Sequence, residues 1–196
     1  IRDRSHRMVT KQVSFYEEMT NVPFIIAGPG IHPRQKPVED LLTQPTIDLL
    51  PTLCELAGIP VPSSKPGISL APFLKGEKQK RQHPYAASEW HSEYEVTVSP
   101  GRMIRSPRYK YTHYLEGNGE ELYDMLKDKG ERRNLAHDPK YSKILAEHRA
   151  LLDDYIRRTQ DDYRSLKVEA DKRWRSHAPG YPNHEGPCAR DIINRK

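Results

Sequence analysis

Histidine is the first residue type to weigh for chemistry in this chain, because imidazole can ligate a metal or move a proton near neutral pH. Nine histidines are present, but their spacing does not organise them. No pair stands four residues apart on a clear helical pattern, the arrangement a helical zinc site needs. His91 and His113 fall among short strand-like segments, and His177 and His184 fall in an irregular tail. For each of them a packing or surface role is the plain alternative. Cys54 and Cys188 are too few for a zinc ribbon or a disulfide framework, although they could pair once. No Gly-rich phosphate loop, nucleophile elbow or His-Glu-x-x-His motif occurs.

The elements that must position any site are modest. The chain has 196 residues, of which 35% are hydrophobic and 30% charged. With its 11 glycines the apolar share reaches only about 41%, below the usual ~45–50%. Its 17 prolines are about 9% of the chain against a norm near 5%. Such a chain has a thin core and long irregular stretches. No run approaches the ~18–20 apolar residues of a membrane span. The net charge of +5 fits either a solvated surface or a surface facing a polyanion, nucleic acid or sulfated sugar. The positive charge is spread along the chain, and no RNA-binding aromatic signature accompanies it.

Residues 10–20 predict a short helix or turn. Phe24-Ile25-Ile26-Ala27, closed by Gly28-Pro29-Gly30, predicts a strand buried on both faces. Ile47, Leu50, Leu53, Cys54 and Ala57 recur at helical spacing, with Thr46 or Asp48 as cap, Pro51 in the first turn and Gly58 at the end. Ser69–Leu74 predicts a short turn or helix, and Lys75–His83 a charged linker. Beyond it, Tyr85–Trp90, Arg102–Arg105, Tyr109–Leu115 and Glu121–Met125 predict a small antiparallel sheet, with turns at Ser106-Pro107 and Gly117-Asn118-Gly119. Residues 139–160 carry one apolar stripe, including Leu145, His148, Leu152 and Tyr155, behind an Asp138-Pro139 start. Helix is expected to extend weakly through 161–175, and the tail from Ser176 has no periodicity.

An ordered set of segments resembles the type I, formylglycine-dependent sulfatase and arylsulfatase family. Lys11 to Ile26 with Gly28-Pro29-Gly30 is similar to the family segment in which a lysine precedes an aromatic-Glu pair and a Val-Pro step into a strand. Thr46–Ile59 and Pro66–Leu74 resemble the next two landmarks. Arg102–Tyr111, and Glu121-Leu122-Tyr123-Asp124 with Glu131 and Asn134-Leu135-Ala136, resemble the start and close of the family's C-terminal sheet. The set covers about residues 6–157. It implies an α/β fold: the end of an alkaline-phosphatase-like mixed sheet with flanking helices over 1–80, an antiparallel sheet packed on a long helix over 81–160, and a variable extension over 161–196.

The resemblance also implies what the chain lacks. Family nucleophiles are a Cys or Ser followed two residues on by Pro and two further by Arg. Neither Cys54 nor Cys188 fits that pattern, and no serine does. The aspartates that bind a calcium ion would precede residue 1, so the chain is expected to be the C-terminal portion of a sulfatase, inactive alone. Lys11 matches the family lysine near the sulfate, one residue further from Glu17 than in many relatives; a surface lysine is the alternative. His6 matches a histidine that some relatives keep near the site, suited to donating a proton to the leaving oxygen. Glu17 and Glu18 are expected to hold local structure or pair with an arginine. His91, Arg102 and His113 are expected to bind substrate, among wall candidates that include Glu89, Trp90 and Arg105. The implied partner is a sulfated small molecule or sugar, with no nucleic acid. The implied location is secreted, periplasmic or lysosomal. The alternatives are a non-catalytic module that binds sulfated polysaccharide, and a related phosphodiesterase or phosphatase.

Overall fold

The computed structural model describes residues 15–33, 36–38, 41–63, 66–78, 83–90, 100–115 and 119–166. In chain order the elements are α1 (Glu17–Thr20), α2 (Pro45–Ala57), α3 (Ala71–Leu74), β1 (Ala86–Trp90), β2 (Gly101–Arg105), β3 (Tyr109–Tyr114), β4 (Gly119–Asp124) and α4 (Ser142–Thr159). They fall into two compact units. Among the described residues, one comprises those from 21 to 86, and the other joins 15–20 with those between 87 and 166.

In the first unit the expected helix forms, but it turns the opposite way. The side of α2 facing the unit carries Asp48, Pro51 and Thr52, all buried. Leu50 and Leu53, read in the sequence as part of the core stripe, are 45% and 50% exposed, and Leu49 is exposed beside them. The cause is a set of hydrogen bonds laid across the polar side. Asp48 Oδ2 accepts the Gln44 N–H at 2.7 Å, capping the helix start, and Oδ1 accepts the Ile68 N–H at 2.8 Å. Thr52 Oγ1 accepts the Leu70 N–H at 2.9 Å. Gly67 makes that crossing possible. Its φ is +117°, and a Cβ there would lie 2.1 Å from the Ile47 carbonyl oxygen. Gly58, in the left-handed conformation, ends α2 as expected.

The run Phe24–Ala27 forms neither helix nor strand and joins no sheet among the described residues, and Ile25 is 85% exposed. This corrects the expectation of a doubly buried strand. A strand needs at least one neighbour to pair its backbone groups, and the described residues of 21–86 supply none for this run.

In the second unit the four strands pair in the order β1-β2-β3-β4. β2 and β3 are antiparallel with Met103 opposite Thr112, and β3 and β4 are antiparallel with Tyr111 opposite Leu122. Because side chains alternate, this register sorts the sheet into two faces. Arg102, Ile104, Tyr111, His113, Glu120 and Leu122 share the face that α4 covers, where Leu145, His148 and Leu152 are buried. Met103, Arg105, Lys110 and Tyr114 share the other face, which residues 15–20 cover. There Phe15 packs with Met103, Tyr114 and Trp90. Gly101 admits the Phe15 ring, since a Cβ at that position would lie 2.8 Å from Cε2.

The helical stripe over 139–160 divides into a 3-10 turn, Pro139–Tyr141, and α4. Asp138 accepts the Lys140 N–H at 3.1 Å as the expected cap. Over 161–166 the expected extension does not continue α4: Gln160 takes φ +55° and closes the helix, and a 3-10 turn follows at Tyr163–Ser165; the rest of that expectation, 167–175, lies outside the described residues.

Candidate functional site

Of the residues the sequence singles out, His6, Lys11 and His91 lie outside the described residues, and Arg102 and His113 lie within them. Arg102 and His113 are cross-strand partners on the α4 side of the sheet. In the structure Arg102 is held by a set of contacts within the chain. Its side chain is 3% exposed, and its guanidinium meets Asp161 fork to fork, Nε to Oδ2 at 2.6 Å and Nη2 to Oδ1 at 2.9 Å. Nη1 donates to the carbonyls of Trp90 and Gly101, each at 2.8 Å. The guanidinium also lies 4.4 Å from the centre of the Tyr163 ring. Burial opposes this charge, but Asp161 prevails and holds the Arg102 pKa above its ordinary value.

His113 Nδ1 bonds the Tyr163 hydroxyl, and the two rings meet edge to face at 5.9 Å. Its strand partner Glu120 takes Arg149 Nε at 2.8 Å and the Tyr111 hydroxyl. Arg149 and Tyr111 together keep the Glu120 carboxyl below its usual range. The polar groups on this face tie the sheet to α4 and to residues 161–163.

A second cluster, on the opposite face, was not legible as a site. Lys110 Nζ is 3.1 Å from Glu17 Oε1 and 3.0 Å from Glu131 Oε1, and the Lys110 and Glu131 side chains are each 1% exposed. Glu131 Oε2 accepts the backbone N–H of Glu17 at 2.8 Å, across 114 residues of chain. Arg105 Nε stands 3.5 Å from Glu17 Oε1, the arginine pairing expected of that glutamate. The available signal was Lys110 itself: in Tyr109-Lys110-Tyr111 the alternation puts a lysine on a buried face. A buried lysine demands carboxylate partners, although the sequence does not say which.

Another buried carboxylate, Asp48, sits 2.7 Å from His83 Nε2 in the first unit. Among the described residues no group of three His, Cys, Asp or Glu side chains is arranged to hold a metal.

Together these features define an α/β chain whose described polar clusters brace a scaffold. The family model described as "N-sulphoglucosamine sulphohydrolase, C-terminal" matches residues 5–158. The chain belongs to this sulfatase family. It is 77% identical over 192 residues to the Delta 4,5-hexuronate-2-O-sulfatase of Bacteroides thetaiotaomicron, covering 98% of this chain and 40% of that protein. It is 34% identical over 140 residues to arylsulfatase K of Homo sapiens, covering 67% of this chain and 25% of the relative. The solved structure of a 2-O GAG sulfatase superposes with a TM-score of 0.83 at 77% identity, covering 96% of this chain and 41% of that one. A structure in complex with D-glucosamine-2-N,6-O-disulfate superposes with a TM-score of 0.53 at 27% identity, covering 60% of this chain and 25% of that one. The chain thus spans 40% of the length of the hexuronate sulfatase.

Proposed function

We propose that this chain is the carboxy-terminal part of a sulfatase that hydrolyses sulfate esters on sugars, with a 2-O-sulfated uronate as its substrate class. The observation that carries the reading is the 77% identity, over nearly the whole chain, to a hexuronate 2-O-sulfatase. Cleaving a sulfate ester gathers negative charge on the sulfuryl oxygens and on the leaving oxygen, so the site needs fixed cations and proton donors. In this reading Lys11 brings a compact ammonium to the sulfate, and His6 gives a proton to the leaving oxygen. His91 contacts the sugar. Arg102 and His113 are read as binding the sugar with it, and Arg102 also holds the carbonyl of Trp90, the residue before His91. In this reading residues 1–80 are the C-terminal part of the α/β catalytic domain, 81–160 the antiparallel-sheet and helix subdomain, and 161–196 a variable extension.

The formylglycine nucleophile and the calcium ligands belong, in this reading, to parts of the protein beyond this chain, which is inactive alone. A secreted, periplasmic or lysosomal setting goes with the family. No helix among the described residues is long and apolar enough to cross a membrane.

The test compares two polypeptides. One carries this chain at the length of its sulfatase relatives and should release inorganic sulfate from a 2-O-sulfated unsaturated uronate disaccharide. The other is the chain alone, which should not turn over nitrophenyl sulfate. Turnover by the chain alone would overturn the reading. So would a long form that cleaves a phosphodiester and no sulfate ester. Retention of the chain alone on a sulfated polysaccharide, with no hydrolysis by the long form, would favour the binding-module alternative.

A further inference from the structure

We propose that Glu17, Lys110 and Glu131 form a positioning device that sets where the segment carrying Lys11 stands relative to the C-terminal sheet. This rests on the assignment of Lys11 to the sulfate site.

The cluster is a poor adhesive. Taking an ammonium and a carboxylate out of water costs much of what their attraction returns, and apolar side chains of equal volume often hold as well or better. Residues 15–20 already have an apolar attachment to this face, through Phe15 on Met103 and Tyr114. What the ionic cluster adds is direction. Lys110 reaches Glu17 and Glu131, and Glu131 in turn holds the Glu17 backbone N–H. Sliding residues 15–20 along the sheet would break these bonds together and leave buried charge unpaired. A Phe on an apolar face, by contrast, tolerates small shifts.

The backbone at Glu131 supports the same conclusion. Its φ is +49°, in the left-handed region that residues other than glycine seldom adopt. Glycine would take that conformation without strain, but it could not bring a carboxylate to Lys110 and Glu17. The strained conformation accompanies the side chain that makes the anchor. Thr20 Oγ1, 3.4 Å from Lys110 Nζ, adds a contact at the far end of α1.

The link to the reaction is covalent reach. Lys11 is four residues upstream of Phe15, and four residues of any chain extend at most about 14 Å. Fixing Phe15 and Glu17 on the sheet therefore limits where Lys11 can be. A shift of Phe15 and Glu17 along the sheet shifts the region that Lys11 can reach, and a displacement of about 1 Å in a reacting group can cost roughly 100-fold in rate.

The experiment uses the long form of the protein with the 2-O-sulfated substrate. Lys110→Met and Glu131→Gln should each lower kcat roughly 10- to 100-fold, with KM little changed. Lys110→Arg should recover part of the loss. On a Lys11→Ala background, Glu131→Gln should lower kcat no further, because the group it positions is gone. If the buried variants do not fold, Glu17→Gln carries the same comparison, since that side chain is 24% exposed. Full kcat in folded Lys110→Met, Glu131→Gln or Glu17→Gln would overturn the positioning role, as would independent, multiplicative losses with Lys11→Ala. Full activity in Lys11→Ala alone would overturn the assignment of Lys11, a separate result.

Discussion

Arg102 and Asp161 meet in parallel, two guanidinium nitrogens against two carboxylate oxygens at 2.6 and 2.9 Å, across 59 residues. The same guanidinium holds carbonyls at the end of β1 and the start of β2. One side chain therefore joins the end of β1, the start of β2 and the segment that follows α4.

Removing Asp161 should be severe. Asp161→Ala leaves a buried guanidinium without its counter-charge, a change that typically costs about 3–5 kcal/mol. Urea unfolding followed by tryptophan fluorescence would measure it. A loss below about 1 kcal/mol would mean that the pair is solvated in solution.

His148 makes stability depend on pH. Burial depresses its pKa, while its Nδ1 faces the Ile144 carbonyl at 2.8 Å and its Nε2 faces Ser106 Oγ at 2.9 Å. The folded state therefore binds a proton less readily than the unfolded state, where the value is about 6.5. The contribution is fully present above that value and is lost as pH falls toward the folded value. His148→Gln should flatten the change in unfolding free energy between about pH 7.5 and 5.5. An unchanged slope in the variant would assign the effect to another group.

Gly67→Ala should damage the first unit. The new methyl would meet the Ile47 carbonyl oxygen at 2.1 Å, on backbone at φ +117°. The cost should exceed about 1 kcal/mol, with faster amide exchange in α2. Unchanged exchange of the Ile68 and Leu70 amides would show that the crossing over α2 does not depend on this glycine.

Leu50→Gln and Leu53→Gln should be nearly silent in the chain by itself, within about 0.5 kcal/mol, because both side chains face solvent. A loss beyond about 1.5 kcal/mol would place them in a packed core.

The sheet and α4 were legible because their signals are local. Alternation in Tyr109-Lys110-Tyr111-Thr112-His113-Tyr114 marks a strand within a few residues, and the expected span 109–115 became β3 at Tyr109–Tyr114. Asp138-Pro139 marks a helix start in the same local way. The direction in which α2 faces was not local. Its leucine spacing describes a stripe, but the bonds from Ile68 and Leu70 that turn the stripe outward arise in another segment. The Glu17–Lys110–Glu131 cluster was hidden for a similar reason, since Glu17 and Glu131 stand 114 residues apart. Glu17 was expected to pair with an arginine, and Arg105 is there. The buried lysine that also claims it came only with the fold.

The outward stripe on α2 has a practical side. Apolar side chains held in water on a regular helix are what general chaperones capture and what neighbouring copies adhere to. Solubility of this chain on its own would accordingly be limited by encounters between molecules rather than by the strength of its folded units. Detergent, dilution or a soluble fusion partner should raise its yield more than any mutation that strengthens the sheet.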